Sequence, residues 1–284
     1  MTSKNSFLAS CKENQKRRVW VWIVAVLSQL LLYGGMTMIY LSRIKGVYAN
    51  GGFKTPNAFK EGMCQAARDA LGFSDNLYGT IFLLAAIIGM QGFSYLFDRK
   101  KVDMYHSVPV SKDRRFAVVY INGIVIYLVA NLSGMVLGTV IAASQGAVNM
   151  DVLATAGLAF VWNLFLFLAF YHMMMLAGNR FVTVCAYLTF VLYEYGLQSQ
   201  ISALKRIFFN TYSEYYLGAE PKLSVIYDCT IHIWNIKNAQ NAAAAAAIAM
   251  PIVAKWILIG TVFLALAYLA YKKRPSEAAG VAVA

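Results

Sequence analysis

The sequence predicts an all-α membrane protein with six transmembrane helices. Of its 284 residues 60% are hydrophobic and only 13% are charged, whereas soluble domains carry about 25% charged residues. The apolar residues are collected into long runs, and the basic residues lie between those runs. Both features are typical of a chain that crosses a bilayer several times.

The net charge of +12 does not indicate a nucleic-acid partner. A nucleic-acid binder needs its lysines and arginines on one continuous face, and here they are separated by apolar segments. The lipid bilayer is therefore the expected environment, and no nucleic acid is expected as a partner.

Six apolar runs are long enough, or nearly long enough, to span a bilayer. A spanning helix needs about 20 residues to cross about 30 Å of hydrocarbon. The first run is too long for a signal peptide and is expected to stay as a helix. The third exceeds the needed length, so it should tilt or project into the cytosol. The predicted spans are residues 19–41, 77–97, 115–143, 151–177, 181–198 and 251–271.

The distribution of basic residues predicts the orientation. Fifteen lysines and arginines flank the spans on one side, in residues 1–18, in the loop after the second span, at Arg180 and in the tail 272–284, against nine on the other side. Positively charged flanks stay in the cytoplasm. Both termini should therefore face the cytoplasm, and residues 42–76 and 199–250 should form extracellular loops.

The segments outside the spans show weaker patterns. Residues 1–18 suit either a short interfacial helix along the inner leaflet or a disordered basic tail. In 42–76, Phe59, Met63 and Ala70 recur at helical spacing, which predicts a small helix at the outer interface. Cys64 and Cys229 would lie on the same outer side, so they could form a disulfide in an oxidising setting. No cysteine or histidine pair has metal-ligand spacing, so no metal site is expected.

The loop "FDRKKVDMYHSVPVSKDRRF", residues 97–116, has a helical pattern of its own. Val102, Tyr105, His106 and Pro109 fall on one helical face. Proline disfavours α geometry in the residue before it, so this helix should end near Val108. Ser111 can then cap the third span, and Asp113 in the first turn complements the helix dipole.

Two stretches resemble bacterial ABC-2-type transporter permeases. "VDMYHSVPVSKDRRF" is similar to the segment after the second transmembrane helix of many such permeases. "YKKRPSEAAG" looks like a stretch in a subset of them from Gram-positive bacteria, and the six-span layout with both ends inside also fits. Val108 stands where leucine is commoner, and Lys112 and Asp113 stand where arginine is often seen, which leaves the identity of the partner open.

The resemblance implies that the loop is a cytosolic coupling helix that rests on a separate ABC ATPase subunit. It also implies a homodimer, or a heterodimer with a related permease. ATP and Mg would be bound by the partner ATPase, and this chain would bind no cofactor. The implied docking residues are Val102, Asp103, Met104, Tyr105, His106, Ser107, Val108 and Pro109, flanked by Arg114 and Arg115. The alternative is a plain positive-inside loop.

Known catalytic patterns are absent from the sequence. It contains no GxxxxGK[ST], HExxH or GxSxG stretch. We therefore expect that this chain is not an enzyme, and that ATP hydrolysis takes place in a partner.

Polar residues within the spans are candidates for a functional site. Glu194 is the one acid in the interior of a predicted span, since Asp151 stands at the first residue of the fourth. It suits a cation or basic-substrate site, or a water-reached position near the outer end of its helix. Asn131, Asn163 and His172 are expected to make interhelical hydrogen bonds. Gly134 and Gly138 form a GxxxG pair that indicates helix packing or a dimer face.

Three functions therefore remain open. The leading one is the permease subunit of an ABC exporter for an amphiphilic substrate. The second is an ion-coupled secondary transporter that uses Glu194, although inverted repeats are not evident in the sequence. The third is a non-transporting membrane sensor or partner protein.

Overall fold

The computed structural model is helical throughout its ordered elements and contains no strand among the residues it describes. Eight α-helices are described: α1 (Ser3–Lys16), α2 (Val19–Ala49), α3 (Pro56–Leu71), α4 (Asp75–Gly92), α5 (Lys112–Ser144), α6 (Met150–Met174), α7 (Arg180–Phe208) and α8 (Ala242–Lys273). A short 3₁₀ helix, Ser94–Phe97, follows α4. The structure describes residues 3–53, 55–73, 75–97, 110–174, 180–209, 211, 232–233, 235–239 and 241–273.

Four of these helices are long and apolar enough to cross a membrane: α2, α5, α8 and, within α6, Met150–His172. The chain is therefore a membrane-embedded, multi-pass, all-α protein. The other two predicted spans correspond to α4 and α7. Their apolar parts are shorter, Leu77–Gly92 in α4 and Thr183–Tyr193 in α7.

Several helices extend beyond their predicted bounds. α2 continues to Ala49 because Tyr48 packs on Phe59 of α3, with 4.3 Å between the ring centroids. α7 continues to Phe208, past the predicted end at residue 198. α8 begins at Ala242 because six alanines precede Pro251 and alanine is the strongest helix former.

α2 and α5 pack closely and run in the same direction. A Cβ atom on Gly134 would lie 2.7 Å from the backbone oxygen of Gln29, and one on Gly138 would lie 3.1 Å from Oγ1 of Thr37. Only glycine lets the two backbones approach this far. The packing interpretation of this GxxxG pair is confirmed, and the dimer-face alternative is wrong because α2 covers both glycines.

α4 and α6 run in the opposite direction to α5. Gly92 lies against Val119 and Ile88 against Gly123, so residue numbers fall along α4 as they rise along α5. In α6, Phe167 stacks on Tyr127 at 4.0 Å between ring centroids, while His172 lies near the start of α5.

α8 runs parallel to α6, and α7 runs antiparallel to it. The backbone N–H of Ala242 at the start of α8 bonds Asp151 at the start of α6, and Gly260 lies beside His172 further along both helices. Tyr187 of α7 packs on Phe170, near the end of α6. The helices α2, α4, α5, α6, α7 and α8 thus alternate in direction.

The bundle has two distinct ends. The basic end comprises α1, Arg18 before α2, the end of α4, the start of α5 and the end of α8; Tyr95 and Tyr271 join two of these elements through their hydroxyls at 3.0 Å. The α3 end comprises α3 and the starts of α6 and α8. α3 lies against α2, α5 and α6 and buries Met63, Ala67 and Leu71, so its apolar face covers protein.

Candidate functional site

The loop between α4 and α5 is the predicted docking element, and its central part lies outside the described residues. Val102, Asp103, Met104, Tyr105, His106, Ser107, Val108 and Pro109 all belong to that undescribed part. Their proposed arrangement stays a prediction. The structure does describe both flanks of the loop, namely the 3₁₀ helix Ser94–Phe97 and the chain from Val110 onward.

The predicted cap at the exit of this loop is confirmed. Ser111 Oγ accepts a hydrogen bond from the backbone N–H of Arg114 at 3.3 Å, and Asp113 lies in the first turn of α5. Such a cap satisfies one of the backbone N–H groups that a helix start leaves without a partner. The Ser111 cap therefore determines where α5 begins.

Arg114 and Arg115 lie in the first turn of α5, and both contact the protein. Arg115 is buried, and its Nη2 donates to the backbone oxygen of Val110 at 3.3 Å. The Arg114 guanidinium lies 5.9 Å from the centre of the Phe7 ring of α1. Arg115 thus holds the chain that leaves the loop, and Arg114 holds α1.

The first third of α5 is held by α1 on one side. Asn122 is buried, and its Nδ2 donates to the backbone oxygen of Cys11 and to Oδ1 of Asn14, each at 3.0 Å. Gln15 donates to Asn122 Oδ1 at 3.3 Å. Of the two interpretations of the N-terminal segment, the structure shows the helix, whose polar residues dock it on α5. Its position along the inner leaflet stays a prediction.

The end of α8 holds the start of α5 on another side. The Tyr268 hydroxyl donates to Oδ1 of Asp113 at 2.8 Å. Phe116 packs against Tyr268 and Tyr271 of α8 and against Phe93 just after α4, with ring centroids 5.3 to 5.7 Å apart. Three elements therefore converge on the helix start that the loop leads into.

Arg18 is a functional candidate that the sequence analysis missed. It precedes α2, it is 1% exposed, and its guanidinium donates to Gln91 Oε1 and, at 2.6 Å, to the backbone oxygen of Ile88. Burial lowers the pKa of this guanidinium, although the nearby Tyr171 hydroxyl opposes the shift. The available signal was its place as the last basic residue before the first apolar run.

A polar network crosses the bundle interior at Tyr33. The Tyr33 hydroxyl donates to Asn131 Oδ1 at 3.1 Å and accepts from Asn163 Nδ2 at 3.0 Å. Asn131 and Asn163 are fully buried, so the predicted interhelical hydrogen bonds of both residues are confirmed. They join α2, α5 and α6, and Tyr33 is the bridging residue that the sequence analysis did not select.

His172 makes the third predicted interhelical contact. Its Nε2 lies 2.8 Å from the Tyr120 hydroxyl of α5. His172 is not brought near Asn131 and Asn163, because it lies toward the basic end of the same helix as Asn163. The predicted polar residues therefore form two separate contacts and do not line one path.

Glu194 lies within α7, and its side chain is outside the described residues. The backbone places it mid-helix, because α7 runs on to Phe208. It also falls directly after the apolar stretch Thr183–Tyr193. This placement differs from the predicted one near the end of a helix that stops at residue 198.

No group of three or more metal-ligating side chains lies together in the part of the chain that the structure describes. Cys229 lies outside that part, so its pairing with Cys64 stays open. Comparisons with known protein families, curated proteins and solved structures found no match to this chain.

Proposed function

We propose that this chain is the permease subunit of an ABC transporter, moved by a separate ATPase that docks on residues 98–115. One observation supports this most: the motif-bearing loop emerges at the basic end and leads directly into a capped helix start on which α1, α8 and the residues after α4 converge. A displacement of the loop by the ATPase would therefore be transmitted to several helices at once.

In this proposal α5 acts as the lever. It is a single helix of 33 residues, which corresponds to about 50 Å in length, and it begins at the loop and ends at the α3 end. A rigid element of this length transmits a displacement across the full bundle. The glycine contacts with α2 would make α2 move together with α5.

The proposal includes six membrane crossings. α4 has 18 residues, or about 27 Å of helix, so it nearly spans the hydrocarbon by itself. The alternation in direction from α2 to α8 is what six consecutive crossings require. With the basic end in the cytoplasm of a bacterial cell, both termini would be cytoplasmic, in agreement with the positive-inside rule.

The proposed complex contains two permease subunits, identical or related, and the ATPase subunits with their ATP and Mg. An amphiphilic substrate suits a bundle whose outward surfaces are apolar, such as Leu31, Val140 and Leu258, each more than half exposed. Export is the proposed direction.

The test is purification of the tagged chain from its native membranes in mild detergent, followed by identification of a stoichiometric ATPase that contains a P-loop. The paired substitution Tyr105→Ala and His106→Ala should remove that subunit from the complex. Lys101→Ala, which changes a residue off the proposed docking face, should retain it. Unchanged ATPase binding in the paired variant would contradict the docking proposal.

Transport itself separates the proposal from an ion-coupled mechanism. In proteoliposomes that contain the purified complex, flux should stop when ATP is omitted and should persist when ion gradients are collapsed. Flux that survives without ATP and is lost in Glu194→Gln would instead identify a secondary transporter. The absence of any flux, with an intact ATPase complex, would favour a signalling role.

A further inference from the structure

A cavity opens at the basic end between α1, the start of α2, the end of α4 and the start of α5. Its volume is about 600 Å³, which lies within the range of about 300 to 1,000 Å³ that is usual for small-molecule sites. The residues that line it include Ser10, Asn14, Arg17, Arg18, Gln91 and Arg115. Hydrogen-bond donors thus outnumber acidic groups around it.

Arg18 gives this cavity a buried positive charge. Within the part of the chain that the structure describes, its guanidinium bonds the neutral oxygens of Gln91 and Ile88 and the nearby Tyr171 hydroxyl, and its Nη1 has no hydrogen-bond partner. Arginine stays protonated in proteins, and a buried charge without a counter-ion is strongly unfavourable. An anion in the cavity would remove this penalty.

Basic groups outnumber acidic ones among the described residues that line the cavity. Arg17 is paired with Glu13 at 3.2 Å, so that carboxylate is already engaged. Arg115 is 8% exposed and bonds a neutral backbone oxygen. Among the described residues that line the cavity there are thus three guanidinium groups and one carboxylate, and two of the three, Arg18 and Arg115, are buried.

We propose that this cavity binds the phosphate group of an anionic phospholipid from the leaflet at the basic end. The planar guanidinium fork matches phosphate oxygens and makes strong charge-assisted hydrogen bonds. Basic pockets between transmembrane helices are a known setting for such headgroups. This proposed lipid site differs from the proposed docking loop in the molecule that it binds and in the measurement that tests it.

The surface beside Arg18 favours a lipid over a free phosphate compound. Val19, Trp20 and Ile23 form the start of α2, and each is more than half exposed. Apolar side chains in this position suit acyl chains, and tryptophan is enriched at the headgroup level. A phosphate in the cavity would therefore have room for its hydrocarbon tails along α2.

The test is native mass spectrometry of the purified chain, titrated with phosphatidylglycerol and with phosphatidylcholine of the same acyl chains. We expect retention of one phosphatidylglycerol and at least tenfold weaker retention of phosphatidylcholine. Arg18→Met and Arg115→Gln should each weaken phosphatidylglycerol binding about tenfold, since a charge-assisted hydrogen bond is lost. Lys12→Gln removes an exposed charge of α1 outside the cavity and should change binding less than twofold.

A competition arm identifies the source of the phosphate. Millimolar inorganic phosphate should leave the retained phosphatidylglycerol in place; if it displaces the lipid and itself raises the thermal stability of the chain, the ligand is a free phosphate compound. Equal retention of both lipids, or equal effects of Arg115→Gln and Lys12→Gln, would overturn the proposal. Arg115→Gln keeps the test decisive if Arg18→Met does not fold.

Discussion

Arg68 at the α3 end and Arg18 at the basic end are both buried, and they have different surroundings. At the α3 end, Arg68 Nε lies 3.6 Å from Oδ2 of Asp151, and its Nη2 donates to the backbone oxygen of Ala239 at 2.9 Å. The same carboxylate accepts the backbone N–H of Ala242, which starts α8. At the basic end, the partners of Arg18 in the described part of the chain are neutral oxygens.

The difference indicates what each end does. At the α3 end, the Asp151 carboxylate compensates the buried guanidinium of Arg68 and connects α3, α6 and α8. Such a contact is expected to stabilise the fold. The basic end leaves a buried charge beside an open cavity and next to the proposed docking loop. We infer that the α3 end stabilises the bundle and that the basic end is where the proposed ATPase and the proposed phospholipid bind.

The largest expected effect is a difference in thiol labelling between the two ends, which tests whether they lie on opposite sides of the membrane. In a cysteine-free chain, Lys12→Cys on α1 and Lys60→Cys on α3 place exposed thiols at the two ends. In sealed inside-out vesicles, a membrane-impermeant maleimide should label the first variant fully and the second not at all. Labelling should reverse in intact cells, and labelling of both thiols from one side would refute the proposed topology.

The second effect is on stability at the α3 end. Arg68→Met removes the partner of Asp151 and the donor to Ala239, so the free energy of unfolding should fall by about 2 kcal/mol. The measurement is unfolding in mixed micelles. Arg43→Met changes an exposed arginine of α2 at the same end and should stay within about 0.5 kcal/mol.

A double-mutant cycle sharpens that result. Asp151→Asn retains an oxygen that can accept the Ala242 N–H, but it removes the charge that faces Arg68. If the Arg68–Asp151 contact stabilises the fold, the double variant should lose less free energy of unfolding than the sum of the two single losses, by about 1 kcal/mol. Strict additivity would show that the 3.6 Å contact contributes nothing.

The third effect is smaller and concerns the basic end. Arg18→Met removes hydrogen bonds to Ile88 and Gln91 but also removes an uncompensated buried charge, so we expect a loss of only about 1 kcal/mol. Arg17→Met removes an exposed ion pair worth about 0.3 to 0.5 kcal/mol. A loss for Arg18→Met that equals or exceeds that of Arg68→Met would contradict the contrast between the two ends.

The smallest effect is a pH dependence at the α3 end. Burial raises the pKa of the Asp69 carboxyl above its ordinary 3.8, although Gln65, Lys237 and Arg68 oppose the shift. The folded state therefore favours the protonated form, and the stability from this group is present below pH 3.8 and is lost as the pH rises through the folded pKa. Asp69→Asn should raise the neutral-pH melting temperature slightly.

The control for that experiment is the slope with pH. Asn keeps an oxygen for the Gln65 amide, which bonds Asp69 Oδ1 at 3.0 Å in the native chain. Between about pH 4 and 7 the variant should lose less stability with rising pH than the native chain does. If stability falls equally with pH in the variant and the native chain, the pKa of the Asp69 carboxyl is not raised by folding.

Local sequence patterns predicted the helices well because they depend on nearby residues. Four of the six predicted spans correspond to helices that are long and apolar enough to cross a membrane, and the Ser111 cap followed from the order of residues 109 to 113. The helix ends were less predictable. α2 runs past residue 41 because Tyr48 meets Phe59 of another helix, and such a contact is not visible in either segment by itself.

The candidate sites divide in the same way. Asn131, Asn163 and His172 were recognisable because polar groups in a span need partners, but Tyr33 as the bridge between Asn131 and Asn163 was not. Arg18 looked like one more positive-inside residue, and only folding places it against Ile88 and Gln91, seventy residues further along. Arg68 similarly looked like an outer-loop charge before its partner Asp151 was known.

By itself, the sequence determined that this is an all-helical membrane protein, since hydropathy and helix length reflect the transfer of each segment into hydrocarbon. Only the tertiary structure decided which helices pair, where Arg18 and Arg68 are buried, and that Arg68 lies beside the carboxylate of Asp151. Those features depend on contacts between segments that are distant along the chain. The motif of the loop was legible from the outset, whereas the convergence of α1, α5 and α8 at its exit emerged from folding alone.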